Sequence, residues 1–247
     1  MSIRSQREFD KLRAIGRIVR ATLDSTAAAV APGITTGELD EIGARVLARH
    51  GAESAPSRVY GFPGALCISV NDEAIHGIPG GRVIQPGDLV KLDLVAEKDG
   101  FYADAAVTVR AGKVSAEADA LVRCAEKAFF YSLEPARAGN RVREIGRVVE
   151  REARHAGFRV IRELCGHGVG RTIHEEPSVP NYYEPTLRAR LTEGLVITIE
   201  PIISAGNGQG KLRPDRWTVA TSDGSLSAHF EHTVVITKSQ PVLLTAA

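Results

Sequence analysis

Apolar positions recur at helical spacing in four stretches: near the N-terminus, over Glu38–His50, over Glu117–Leu133 and over Arg141–Ala156. Strand-like runs cover Ala65–Val70, Leu89–Val95, Phe101–Arg110, Phe158–Leu164, Leu195–Ile199, Trp217–Ala220 and His229–Lys238. Turn chemistry punctuates the helices. Thr35-Thr36-Gly37-Glu38 has the spacing of a capping box, and Gly51 can close the helix that follows. Asn140 can cap the helix over Arg141–Ala156, which Gly157 can close. Helices and strands in this order predict an α+β fold with helices against one face of a sheet.

The pattern repeats. Glu41-Ile42-Gly43 in one helix matches Glu144-Ile145-Gly146 in another. Ile75-His76 is followed by Gly87-Asp88-Leu89-Val90-Lys91-Leu92-Asp93, and Ile173-His174 by Gly194-Leu195-Val196-Ile197-Thr198-Ile199-Glu200. In each half the acid lies six positions after the glycine. One match could be chance; several in the same order imply duplication. The period is far too long for a solenoid, so the expectation is a single domain, 1–247, with pseudo-symmetric halves of about 12–110 and 120–238.

Composition adds little beyond exclusions. With 43% hydrophobic and 25% charged residues in 247, the chain reads as globular. A formal charge of +1, without a basic cluster, gives no reason to expect nucleic acid as a partner. The arginines and lysines of the first twenty residues have no apolar run between them, so that segment reads as an amphipathic helix and not a signal peptide. No stretch is long enough to span a bilayer. Cys67, Cys124 and Cys165 form no C-x-x-C pair, which argues against a disulfide scaffold or structural zinc and fits a cytoplasmic protein.

Carboxylates interrupt the strands. Asp93, Asp104 and Glu231 sit inside apolar runs, and Glu200 ends a fourth before Pro201 breaks it. Strand alternation puts Asp93 on the face of Lys91, and Glu231 on that of His229 and Thr233. Any one of them could lie on a solvated face. Two acids in each half, if they converge, would repel one another at a cost of several kcal/mol unless cations compensate. His167, in Cys165-Gly166-His167-Gly168-Val169-Gly170-Arg171, joins them; its glycines permit the close backbone approach that suits a bound ion or substrate. One imidazole with four carboxylates suits two divalent ions such as Mn, Fe(II), Co or Zn. Three competing motifs fail. Arg171 stands where a dinucleotide fingerprint needs glycine, His174-Glu175-Glu176 is not followed by the second histidine of H-E-x-x-H, and no G-x-S-x-G elbow occurs.

At these residues the sequence resembles the type I methionine aminopeptidases in their short bacterial form. The resemblance runs from about Arg13 to Leu244. It is carried by Cys67-Ile68-Ser69-Val70-Asn71, His76-Gly77-Ile78-Pro79, Cys165 to Pro177, Thr198-Ile199-Glu200-Pro201 and Glu231-His232-Thr233. It implies the pita-bread fold, with a pseudo-two-fold curved sheet and helices on its outer face, and removal of N-terminal methionine from nascent proteins with a small second residue. It also implies two divalent cations (Co, Mn, Fe(II) or Zn) on Asp93, Asp104, His167, Glu200 and Glu231, with Asp104 and Glu231 bridging. Glu200 would move a proton, His174 would meet the carbonyl oxygen and His76 the substrate amide. Tyr60, Phe62, Cys67, Ile173 and Trp217, with His76 and His174, would line the methionine pocket. A monomer with transient ribosome contact is expected.

The chain departs from the family where Ala103 and Ala105 flank Asp104, in Val59-Tyr60-Gly61-Phe62-Pro63, where Val59 or Tyr60 takes a tyrosine's place according to whether one residue is deleted, and at Ile173, often an aromatic position. The flanking alanines imply a missing hydrogen bond behind Asp104. His50, His155, His229 and His232 read as ordinary polar residues. The competing readings are a non-catalytic pita-bread binding protein, and a prolidase or aminopeptidase P-like enzyme.

Overall fold

The computed structural model describes residues 1–246. Five helices, α1 (Gln6–Ala29), α2 (Thr36–Arg49), α3 (Ala55–Tyr60), α4 (Ala116–Ser132) and α5 (Arg143–His155), surround an antiparallel sheet of nine strands. Its main path runs Glu53–Ser54, Leu89–Lys98, Phe101–Arg110, Glu231–Val235, Val196–Ile199, Cys165–Gly168 and Glu175–Pro180. Cys67–Val70 pairs with Leu89–Lys98 further along the edge that Glu53–Ser54 occupies, and Val242–Leu243 pairs with Glu231–Val235.

One face of this sheet is the core. Leu92, Leu94, Ala103 and Ala105 pack with Ile15, Val19 and Leu23 of α1 and Leu39 of α2. In the second half Ile197, Ile199 and Val234 pack with Phe129 of α4 and Ile145 of α5. The opposite face carries the acids. Alternation in an extended chain therefore separates the greasy side from the acidic side, residue by residue.

Helix starts follow local chemistry. In α2 the Thr35 hydroxyl accepts from the Glu38 N–H at 3.1 Å, and the Glu38 carboxylate accepts from the Thr35 N–H at 2.8 Å. That is the reciprocal box read in the sequence, a type of cap worth roughly 1 kcal/mol. Ser115 caps α4 through the Ala118 N–H. Asn140 does not cap α5: the position before that helix is Val142, without a side-chain cap, and the Asn140 amide donates to the Pro135 carbonyl instead.

Some strands differ from the expectation. The run His229–Lys238 divides at Phe230. Ser227–His229 pairs with Ile202–Ser204 in a separate three-stranded sheet, and Glu231–Val235 enters the main one. Phe158–Leu164 contracts to Arg159–Val160, and Trp217–Ala220 shifts to Val219–Thr221. No helix among the described residues is long and apolar enough to cross a membrane.

Candidate metal centre and its pocket

Register brings the acids together. Asp93 lies opposite Ala106 on one side, and Glu231 lies opposite the same Ala106 on the other. Cys67 is opposite Asp93, so Cys67, Asp93, Ala106 and Glu231 form one row across three pairings. Asp104 stands two residues along from Ala106 on the same face. The methyl group of Ala106 leaves open space between the two carboxylates. Glu200 enters from the end of Val196–Ile199, whose Ile199 is opposite His232, the neighbour of Glu231.

His167 arrives through a break in pairing. The register between Cys165–Gly168 and Glu175–Pro180 shifts between Gly166 and Gly168, with His167 at the irregularity. The extra residues lie on the partner strand, where Glu176, Pro177 and Ser178 face the single His167, and such an irregularity re-aims the side chains beside it. Its Nε2 lies 3.6 Å from an Asp104 oxygen and 3.8 Å from a Glu200 oxygen. The flanking glycines let neighbouring backbone approach closely. A Cβ on Gly166 would sit 2.6 Å from the Thr198 carbonyl oxygen, and one on Gly168 would sit 2.3 Å from that of Glu176.

Hydroxyls fix the ligand backbones. The Asp104 N–H donates to the Thr233 hydroxyl at 2.9 Å, and that hydroxyl donates to the Asp104 carbonyl at 2.8 Å. The Thr198 hydroxyl accepts from the His167 N–H at 3.0 Å and donates to Glu200 at 2.9 Å. Ala103 and Ala105 point into the helix-facing core, and Asp104 Oδ1 is buried without a hydrogen-bond partner, as is Glu231 Oε1.

The electrostatics are those of a site short of positive charge. Burial, then Asp104 and Glu200, push Asp93 well above the usual carboxylate range. Burial and the neighbouring acids do the same to Glu231. Glu200 rises to about 7, chiefly through burial. Burial opposes a charge on His167, but Asp104 and Glu200 outweigh it and raise the imidazole to about 9. Four carboxylates and an imidazole at this spacing fit divalent cations. Asp104, His167 and Glu231 each offer a ligand atom within 4.8 Å of the others, and so do Glu200, His229 and Glu231. Glu231 belongs to both groups.

Above these residues opens a cavity of about 610 Å³. Every residue that the sequence singles out lines it: Asp93, Asp104, His167, Glu200 and Glu231, then His76 and His174, then Tyr60, Phe62, Cys67, Ile173 and Trp217. Phe62 and Trp217 meet edge to face, with centroids 5.2 Å apart. Ile173 is buried against Ala55 and Val95. The Tyr60 hydroxyl lies 2.9 Å from His174 Nδ1, and the His174 ring is 4.3 Å from that of His167. Burial lowers His76 and His174, so both are neutral. His76 has a φ of 56°, a left-handed value uncommon outside glycine and often found at functional sites. Gly77 follows it with no room for a side chain, because a Cβ would lie 2.4 Å from the Ile68 carbonyl oxygen.

The sequence reading omitted some residues that the structure places here. Cys165, Glu163 and Ser178 also line the cavity. His229 lies behind it, 1% exposed, with Nε2 3.4 Å from a Glu231 oxygen and 3.8 Å from a Glu200 oxygen. Its position two residues before Glu231 was the available signal.

A sheet with four acids and one histidine facing a shared cavity defines a metal-dependent hydrolase. The chain belongs to metallopeptidase family M24, whose model matches residues 10–238. It is 44% identical over 247 residues to methionine aminopeptidase 2 of Bacillus subtilis, covering 99% of both chains. It is 42% identical to the methionine aminopeptidase of Clostridium perfringens, covering 98% of each. The crystal structure of a methionine aminopeptidase from Thermotoga maritima superposes with a TM-score of 0.96 at 33% identity over the whole of both chains. A prolidase from Pyrococcus horikoshii shares the fold at a TM-score of 0.80 and 22% identity, over 99% of this chain and 63% of that one. The architecture is thus the pita-bread fold of this family.

Proposed function

We propose that this M24 metallopeptidase removes the N-terminal methionine from nascent proteins whose second residue is small. The observation that carries the reading is the convergence of Asp93, Asp104, His167, Glu200 and Glu231 at the base of a cavity walled by Phe62, Trp217 and Ile173. The aromatic and aliphatic wall suits an unbranched thioether, which gains roughly 0.3–1.5 kcal/mol against a ring. The relatives' names point to the same substrate.

The five ligating residues would hold two divalent cations. When bound, these ions lower the pKa of a water and polarise the scissile carbonyl. Glu200, at the end of Val196–Ile199 and lining the cavity, would take the proton from the attacking water and return it to the leaving amine as the C–N bond breaks. With the tyrosine as donor, the contact of the Tyr60 hydroxyl with His174 Nδ1 suits the tautomer that carries its proton on Nε2. That N–H then donates to the carbonyl oxygen as negative charge develops on it. His76, held by its turn on the other side of the cavity, meets the amide nitrogen of the substrate. The domain reading remains a single unit with paired halves, supported by two antiparallel pairings that hold the acids, Leu89–Lys98 with Phe101–Arg110 and Val196–Ile199 with Glu231–Val235.

The test uses metal-stripped protein and a Met-Ala-Ser peptide, with Co(II), Mn(II), Fe(II) or Zn(II) added back. Free methionine should appear only with metal. Undiminished turnover in excess chelator would overturn the metal reading, and cleavage of Xaa-Pro dipeptides in preference to Met-Ala-Ser would favour a prolidase.

A further inference from the structure

His229 is a histidine without an occupation. It is 1% exposed, and neither ring nitrogen has a hydrogen-bond partner. A buried polar group left in this state costs roughly 1–3 kcal/mol, so an unpaired imidazole calls for a partner. Its backbone is not free to turn the ring elsewhere. The Thr108 hydroxyl accepts from the His229 N–H at 2.9 Å and donates to its carbonyl at 2.8 Å. This repeats the arrangement by which Thr233 fixes Asp104.

The ring is aimed at two carboxylates. Nε2 lies 3.4 Å from Glu231 Oε2 and 3.8 Å from Glu200 Oε2, and it forms no hydrogen bond to either. Those separations are what a shared cation requires. Nitrogen and oxygen ligands about 2.0–2.2 Å from a tetrahedral ion stand roughly 3.4 Å from one another. The separations of His167 from Asp104 and Glu200, 3.6 and 3.8 Å, are of the same kind. One oxygen from each of Glu200 and Glu231, with a nitrogen of His229, forms a group within 4.8 Å on all edges.

We propose that His229 is a sixth protein ligand of the metal centre, its imidazole joining Glu200 and Glu231 on one of the two ions. The inference rests on the metal centre proposed above and extends it. A second nitrogen donor would bias the centre toward metals that favour imidazole, zinc among them, over manganese, which favours oxygen.

Zinc provides the probe, because X-ray absorption counts imidazoles around it without relying on activity. Wild-type protein loaded with two zinc ions should show an average of one imidazole per zinc. His229→Gln, which keeps a polar group of similar reach, should show about half of one. In competition with a chromophoric chelator, the same variant should lose at least tenfold in affinity for one zinc and keep the other. Half an imidazole per zinc in the wild type would overturn the proposal while leaving the five-ligand centre intact. An unchanged imidazole count in His229→Gln, even with weaker binding, would also overturn it and make His229 a positioning residue for Glu231. If the wild-type protein retains no zinc at all, the metal centre itself fails.

Discussion

At the scale of single residues, the roles proposed here separate into holding metal and handling charge. Asp104 and Glu231 are buried on either side of Ala106, and each carries an oxygen without a protein partner. Asp104→Ala or Glu231→Ala should therefore weaken metal binding by more than about a hundredfold, beyond the effect of losing an outer partner, and abolish turnover. His174→Ala should keep both ions and lower kcat by about 10²–10³, the usual effect of removing one donor to a developing oxyanion. Elemental analysis beside kinetics decides it. Loss of metal from His174→Ala together with its retention in Asp104→Ala would reverse the two roles. The acids were legible because each violates an otherwise apolar strand. His229 was not, since a histidine on a polar strand face has an ordinary explanation. Only the change of sheet at Phe230, which leaves the ring behind Glu200 and Glu231, removes that explanation.

At the scale of elements, the repeated Glu-Ile-Gly has two different meanings in space. A Cβ on Gly146 would lie 2.2 and 2.4 Å from the carbonyl oxygens of Tyr182 and Pro180, so α5 rests directly on backbone. A Cβ on Gly43 would meet the end of the Leu66 side chain at 2.3 Å, and a leucine can turn aside. Alanine gains about 1 kcal/mol of helix propensity over glycine in both places. Overpacking against rigid neighbours costs roughly 1–3 kcal/mol, with backbone at the upper end. Gly146→Ala should thus destabilise by about 2 kcal/mol and Gly43→Ala by under about 1 kcal/mol in urea melts. The opposite order would show that α5 can slide and α2 cannot. The long helices and the hairpin Leu89–Arg110 could be read from periodicity. Cys165–Gly168 could not, because two glycines in four residues give no apolar rhythm, and neither could Glu175–Pro180, which holds two prolines. These short strands owe their existence to the sheet they complete.

At the scale of the whole molecule, the site is a local instability that cations relieve. Glu200 at about 7 and His167 at about 9 both lie above their ordinary values of 4.5 and 6.5. Each therefore contributes stability to the metal-free fold when protonated, below its ordinary value, and loses it as pH rises through 7 and then 9. Ligation requires both to give up their protons, so the cations stabilise most where the empty site is weakest. At a hundredfold excess over Kd the gain is about 2.7 kcal/mol. The rise in Tm on adding Zn(II) or Mn(II) should be small at pH 6 and larger at pH 8.5. An equal rise at both values would mean that these two groups do not release protons to the ions.

The strand that carries Glu231 closes the sheet against Phe101–Arg110, which was made more than half a chain earlier. Asp93 and Asp104 leave the ribosome long before His167, Glu200 and Glu231 exist to meet them. A half-made copy holds no partial catalyst, only Asp93 and Asp104 without the histidine and glutamates that complete the centre. Hydrolytic power arrives in one step with residues 231–235, the last to join the centre. A chain abandoned before that point is proteolytically silent among the other growing proteins around it.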